Sequence, residues 1–310
     1  MKYRGRIIIL AVIVLVCGLT ALFYKFRSPI LVVTDEPFTL LYGEKRTKIE
    51  QIIASAMLGR LVKQVLIADS AGTDLMIIAV EEASAGPWCV VFPYRYKDAA
   101  LRYNEQFPEI PVVLLTSHAV QEWEKPAVSS DSGDSGLFFE FSTDTKLDFY
   151  RVGRFSAIIC GEQSGIIPVF INKTESDAGK EAFLQGFSSI KSESQPHFYD
   201  SYAQLSQNEN FPLVVLAGSG TEYFDKNPRN PIILFTWLAP SYTSGETIIQ
   251  MDDSLWAQLR SAVRMVKEGQ KTGEIPSKPM IFSARIADNG VLRQLKKTAQ
   301  SGIEPDSVEP

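Results

Sequence analysis

Residues 144–187 read DTKLDFYRVGRFSAIICGEQSGIIPVFINKTESDAGKEAFLQGF, and their reading decides the fold. Phe149, Val152, Phe155 and Ile159 recur three or four residues apart, which places them on one face of a 3.6-residue period. Gly161 follows as a helix stop. Residues 165–171 form a short apolar run of the buried-strand kind. Asn172, Lys173, Thr174, Glu175 and Ser176 supply loop and cap residues before Ala178, Ala182, Phe183 and Phe187 at helical spacing. Helix, buried strand, polar loop and helix make an α/β unit of a ligand-binding type.

The same alternation runs outward on both sides. Towards the N-terminus, strands are expected at residues 29–33, 65–68, 88–92, 110–115 and 137–141, with helices over 45–61, 74–85 and 97–107. In the first of these helices Ile49, Ile52, Ile53, Ala56 and Leu61 form the apolar face expected to meet the core. Towards the C-terminus, strands are expected at 196–199, 213–217, 232–235, 247–251 and 280–282. Asp252 and Asp253 read as helix-start charge ahead of Trp256, Leu259, Val263 and Val266. Residues 271–278 read as a connection. Continuous apolar strands alternating with helices predict parallel sheet covered on both faces, a doubly wound α/β fold.

The chain has 310 residues, 45% of them hydrophobic, enough for one large or two moderate domains. Its net charge is −5, and Lys and Arg gather nowhere beyond residue 27, which argues against nucleic acid as a partner. Lys2, Arg4 and Arg6 precede an uncharged apolar run, residues 7–24, followed by Lys25 and Arg27. As a helix this run spans about 27 Å, close to a bilayer's hydrocarbon core. Three readings compete: a retained signal anchor, favoured by length and the lack of a clean cleavage site; a cleaved signal peptide; and a lipoprotein modified at Cys17. Each puts the folded part of residues 28–300 outside the cytoplasm, at the periplasmic side of a bacterial inner membrane, with 301–310 as a polar tail. Cys89 and Cys160 read as separate buried thiols, with a bridge left open. No Cys/His spacing suggests a metal.

Three stretches resemble one family, the type 1 periplasmic binding proteins, and within it the basic membrane protein branch of purine-nucleoside-binding lipoproteins. They are Phe107-Pro108-Glu109-Ile110 before a strand; Asp148-Phe149-Tyr150-Arg151-Val152-Gly153 leading to Glu181-Ala182-Phe183-Leu184-Gln185-Gly186-Phe187; and Ser244-Gly245-Glu246-Thr247-Ile248-Ile249 through Val266-Lys267-Glu268-Gly269. The resemblance implies two doubly wound parallel-sheet lobes joined by hinge crossovers. Lobe one would hold residues 28–142 with 245–272, and lobe two 143–244 with 273–300. Hinges would lie near Ser142-Thr143, Ser244-Gly245 and Gly273. It also implies capture of a small polar solute, nucleoside-like or sugar-like, for an ABC-type permease, with no cofactor and no catalysis. A ligand-sensing or protein-interaction domain that kept the fold and lost transport is the alternative. The family's Asp-rich turn is replaced here by Thr236-Trp237-Leu238-Ala239-Pro240, so the nucleoside itself is not carried over.

In open parallel sheets ligands bind beyond the carboxyl ends of the strands. That rule selects Asp35, Phe38, Asp69, Tyr94, Arg95, Ser117, Asn172, Ser219 and Trp237 as candidate ligand contacts. Aromatic rings would stack on a planar solute, while Asp, Asn and Arg would pair with its hydroxyls, amides or carboxylate. Gly218-Ser219-Gly220-Thr221 follows a strand as a nucleophile loop would, yet it has neither G-x-S-x-G spacing nor a P-loop lysine.

Overall fold

The computed structural model describes residues 27–68, 71–84, 86–116, 137–171, 176–202, 211–217, 229–235 and 246–300. The apolar run 7–24 and the loop 218–221 lie outside these. No helix among the described residues is long and apolar enough to cross a membrane.

The described strands build two six-stranded sheets. In the first, β1 (Ile30–Asp35) pairs in parallel with β2 (Val62–Ile67), Ile30 opposite Val62 and Asp35 opposite Ile67, and with β3 (Cys89–Pro93) on its other side. The order continues through β4 (Val112–Thr116) and β5 (Phe138–Thr143) to β11 (Thr272–Ile275), giving β2-β1-β3-β4-β5-β11. The second sheet runs β7-β6-β8-β9-β10-β12, from Gln195–Tyr199 through Ile166–Ile171, Val214–Ala217, Ile232–Phe235 and Thr247–Asp252 to Lys278–Ile281. Only its last pair, β10 with β12, is shown antiparallel. The two sheets repeat one doubly wound order, as the α/β reading requires. Ile30, Leu31, Val32 and Val33 are all fully buried, as strands covered on both faces must be.

Two compact units contain these sheets. Among the described residues, those up to Leu115, residues 137–140 and Leu259–Thr272 form the first; Thr116, those within Phe141–Gln258 and those from Gly273 form the second. The chain therefore crosses inside continuous elements: within β5, within the helix Leu255–Lys267 and within β11. The sequence division gave residues 245–272 to lobe one and a hinge to Ser244-Gly245. Residues 247–252 instead pair with β9 and β12, so strand hydrogen bonding holds them in the second sheet and moves this crossing to Gln258/Leu259. Residues 271–278, expected as a connection, contain β11.

Among the described residues there are eight α-helices: α1 (Glu36–Tyr42), α2 (Glu44–Leu58), α3 (Thr73–Ala83), α4 (Lys97–Gln106), α5 (Thr145–Cys160), α6 (Ser176–Ser188), α7 (Leu255–Lys267) and α8 (Asn289–Gln300). Gly43, at φ 93°, breaks α1 from α2, and Gly59, at φ 64°, closes α2 in the left-handed region that favours glycine. The α2 helix departs from expectation. Its buried residues are Thr47 and Ala54, while Ile49, Ile52, Ile53 and Met57 face outward. The pattern predicts a helix correctly and assigns its faces the wrong way round.

In the second unit α5 and α6 pack with their backbones in near contact. A side chain on Gly153 would strike the Phe183 carbonyl oxygen, and one on Gly186 the Tyr150 carbonyl oxygen. Around them Phe149, Val152, Phe155, Phe183 and Phe187 join Ile167, Val169, Leu213 and Phe235 in one core.

Candidate functional site

In this strand order the direction of winding reverses between β1 and β3, the place where open parallel sheets bind ligands beyond the strands' carboxyl ends. Four of the nine candidate residues meet there, all in the first unit. Asp35 ends β1 and caps α1, with Oδ1 accepting a hydrogen bond from Phe38 N at 2.7 Å. Its Oδ2 accepts from Tyr96 Oη at 2.7 Å and from Arg95 Nη1 at 3.2 Å. One carboxylate thus ties the first helix to the turn after β3.

Burial is uneven across this cluster. Asp35, Tyr94 and Tyr96 are each 6% exposed, whereas 53% of the Arg95 side chain reaches solvent. The wet end of such an ion pair adds little stability. The amide and phenol bonds hold the carboxylate, and the guanidinium stands over it as the accessible charge. Phe38 is half-buried and stacks on Tyr42, with ring centroids 5.4 Å apart and planes 11° from parallel; the Arg46 guanidinium lies 4.2 Å from the Tyr42 centroid. Lys97 Nζ sits 5.4 Å from the Tyr94 ring. Gln64 Nε2 donates to Thr34 Oγ1 at 2.6 Å and Thr39 Oγ1 at 3.0 Å, so β2 is bound into the same corner.

The corner therefore offers a buried anion that organises backbone and phenol, an exposed guanidinium, and a pile of aromatic rings. Such groups can orient a small solute with a carboxylate or hydroxyls and a flat face. Asp69, Ser117, Asn172, Ser219 and Trp237 lie outside the described residues. No group of three or more His, Cys, Asp or Glu among the described residues is placed to hold a metal. Cys89 and Cys160 are both buried and free. Burial pushes the Cys160 thiol up to about 12, a hydrogen bond with Ser194 opposing it, and pushes Cys89 up further.

Sequence reading missed Tyr96 and Gln64, whose roles depend on the turn after β3 and on strand register. It also missed a set of buried polar residues in the second unit. Asp148, fully buried on α5, accepts from Ser277 N at 2.9 Å and 3.2 Å through its two oxygens and from Ser277 Oγ. Gln258 Nε2 donates to Thr143 Oγ1 at 2.9 Å, which in turn donates to Thr116 O at 3.2 Å. Asp252 and Asp253, read as helix-start charge, do directly precede α7, and each is only 2% exposed. Asp252 is also the last residue of the buried strand β10. The one available signal was their direct continuation of the apolar run 247–251.

No protein-family model matches the chain, and neither does any curated protein. Solved structures do share its fold. One is an ABC transporter solute-binding protein from Conexibacter woesei DSM 14684, at 12% identity and a TM-score of 0.56, covering 88% of this chain and 95% of that one. Another is a transcriptional activator of the comK gene from Bacillus halodurans, at 14% identity and a TM-score of 0.51, covering 90% and 100%. At these identities the likeness is one of fold. The chain thus shares its fold with an ABC transporter solute-binding protein and with a transcriptional activator, and the basic membrane protein branch is not singled out.

Proposed function

We propose that the protein is an extracytoplasmic solute-binding protein, tethered by residues 7–24, that captures a small polar solute at the ends of its parallel strands and presents it to an ABC-type permease. The observation that carries this reading is the corner of Asp35, Tyr96 and Arg95 at the winding reversal of the first sheet. A buried carboxylate there positions an exposed guanidinium next to stacked rings, an arrangement suited to orienting a solute with no covalent step. The solute class is a hydroxyl-rich or carboxylate-bearing small molecule, sugar-like or nucleoside-like, and the chain crossings in β5, α7 and β11 are the hinges of capture. Asp69, Ser117, Asn172, Ser219 and Trp237 remain part of the proposed contact set.

A thermal-shift screen of the purified protein with sugars, nucleosides and amino acids tests the reading. A solute at 100 times its dissociation constant stabilises the fold by about 2.7 kcal/mol. Arg95→Ala should abolish the shift while lowering unliganded stability by no more than about 1 kcal/mol, since the ion pair is half exposed. A shift untouched by this substitution moves the site elsewhere. No shift with any solute favours a second reading, a sensor or interaction domain. That reading is supported by the transcriptional activator of the comK gene from Bacillus halodurans, which shares this fold.

A further inference from the structure

The outward face of α2 has no use in solute capture. Ile49, Ile52, Ile53 and Met57 are 48%, 69%, 41% and 63% exposed. With Ala56 they form a stripe which, at 3.6 residues per turn, lies across the helix from the buried Thr47 and Ala54. Leu61 and Leu66, just beyond the helix and on the edge strand β2, are exposed as well. Within the fold this stripe meets α7 at one end, where Arg260 Nη1 contacts Met57 Sδ, and the rest of it is open; an apolar helix side left largely in water marks a contact surface.

Two observations identify what covers it. The first is charge, a local excess that the whole-chain reading of Lys and Arg passed over: residues 44–63 carry five basic side chains (Lys45, Arg46, Lys48, Arg60 and Lys63) against two acidic ones (Glu44 and Glu50), a net +3 in a chain of net −5. The second is where the chain enters. Arg27 Nη1 donates to Gly59 O at 3.2 Å and Arg60 Nη1 to Ser28 O at 3.1 Å, which pins residues 27 and 28 to the C-terminal end of α2. The apolar run ends at Tyr24, three residues earlier, so at most about 10 Å of chain separates it from this helix. A second copy fits less well. Antiparallel two-fold pairing of α2 sets Lys45 of one chain against Arg60 of the other, cation on cation.

We propose that the outward face of α2 lies on an anionic phospholipid bilayer, with Ile49, Ile52, Ile53 and Met57 in the headgroup–acyl boundary and Lys45, Arg60 and Lys63 among the phosphates. An apolar helix face rimmed by cations has the composition of an interfacial helix. The surface would fix the orientation of the first unit on the membrane, where a tether alone leaves it free to turn. The proposal rests on the tethered reading for the position of the bilayer.

The test uses the full chain carrying Cys17→Ser and Ile52→Cys, in nanodiscs of phosphatidylglycerol mixed with phosphatidylcholine or of phosphatidylcholine alone. Cys89 and Cys160 are buried and do not compete for a water-soluble maleimide. Labelling at position 52 should be about tenfold slower or more in the anionic discs, should recover towards the neutral-disc rate in high salt, and should recover when Met57→Glu is added. Equal rates in the two kinds of disc overturn the proposal. Slow labelling that persists in lipid-free detergent also overturns it, in favour of a second copy on this face. Release of the chain by alkaline carbonate removes the tether but leaves the α2 question standing, because the released chain is then labelled with and without added anionic discs and the same rates decide.

Discussion

The helices α2 and α5 carry the same kind of apolar periodicity and meet opposite fates. In α5, Phe149, Val152 and Phe155 lie within the core of the second unit. In α2, Ile49, Ile52 and Ile53 point away from the sheet while Thr47 and Ala54 face it. Periodicity specifies that a helix has two faces and does not say which one the protein covers with itself. Close packing makes the difference. Gly153 and Gly186 let α5 and α6 approach until no side chain fits at either position, which locks the orientation of α5. α2 meets the first sheet through small or short side chains; of its larger apolar residues Met57 touches Arg260 of α7, and Ile49, Ile52 and Ile53 are left for something outside the fold.

The largest expected effect comes from breaking that lock. Gly186→Val places a branched side chain where even a methyl group meets the Tyr150 carbonyl oxygen, and the obstacle is helix backbone, which cannot swing aside. Overpacking of this kind should cost about 3 kcal/mol or more in urea unfolding. A loss under about 1 kcal/mol would mean that α5 and α6 stand further apart and that the contrast with α2 has another cause.

A smaller effect is expected at Asp148, on the same helix. Its carboxylate serves both the Ser277 amide and hydroxyl in a fully buried position. Asp148→Ala leaves the amide without an acceptor and should cost about 1–3 kcal/mol. Adding Ser277→Ala should recover little, because the backbone donor remains. Full recovery in the double variant would assign the effect to the hydroxyl alone.

The contrast also shows how far sequence reasoning reaches. Strands such as 30–35 and 89–93 were legible because burial on both faces leaves unbroken apolar runs, and the repeated winding follows from their alternation with helices. The Asp35 and Arg95 corner was legible in part, since both residues stand at strand ends. That Tyr96 and not Tyr94 binds the carboxylate was not, because it depends on the 3₁₀ turn over Tyr94–Tyr96. That Asp252 and Asp253 precede a helix was legible, but their burial was not, because β10 ends at Asp252 through pairings more than a dozen residues away.

The smallest effect sharpens the comparison most. Ile52→Glu puts a charge at the centre of an apolar stripe. On a core-facing helix, burying that unpaired carboxylate would cost several kcal/mol. Here Ile52 is 69% exposed, so the charge stays hydrated and stability should change by no more than about 0.5 kcal/mol in detergent solution. Phe155→Ala, the corresponding probe on α5, should cost about 3–5 kcal/mol, since that ring is fully buried. Measured together by urea unfolding, the pair separates the two faces of the argument. If Ile52→Glu is as damaging as Phe155→Ala, the α2 stripe is covered by the protein's own chain, and the membrane assignment loses its surface. If only Phe155→Ala is damaging, the stripe is free of the fold, and loss of bilayer protection at position 57 in an Ile52→Glu chain carrying Cys17→Ser and Met57→Cys identifies what it was kept for.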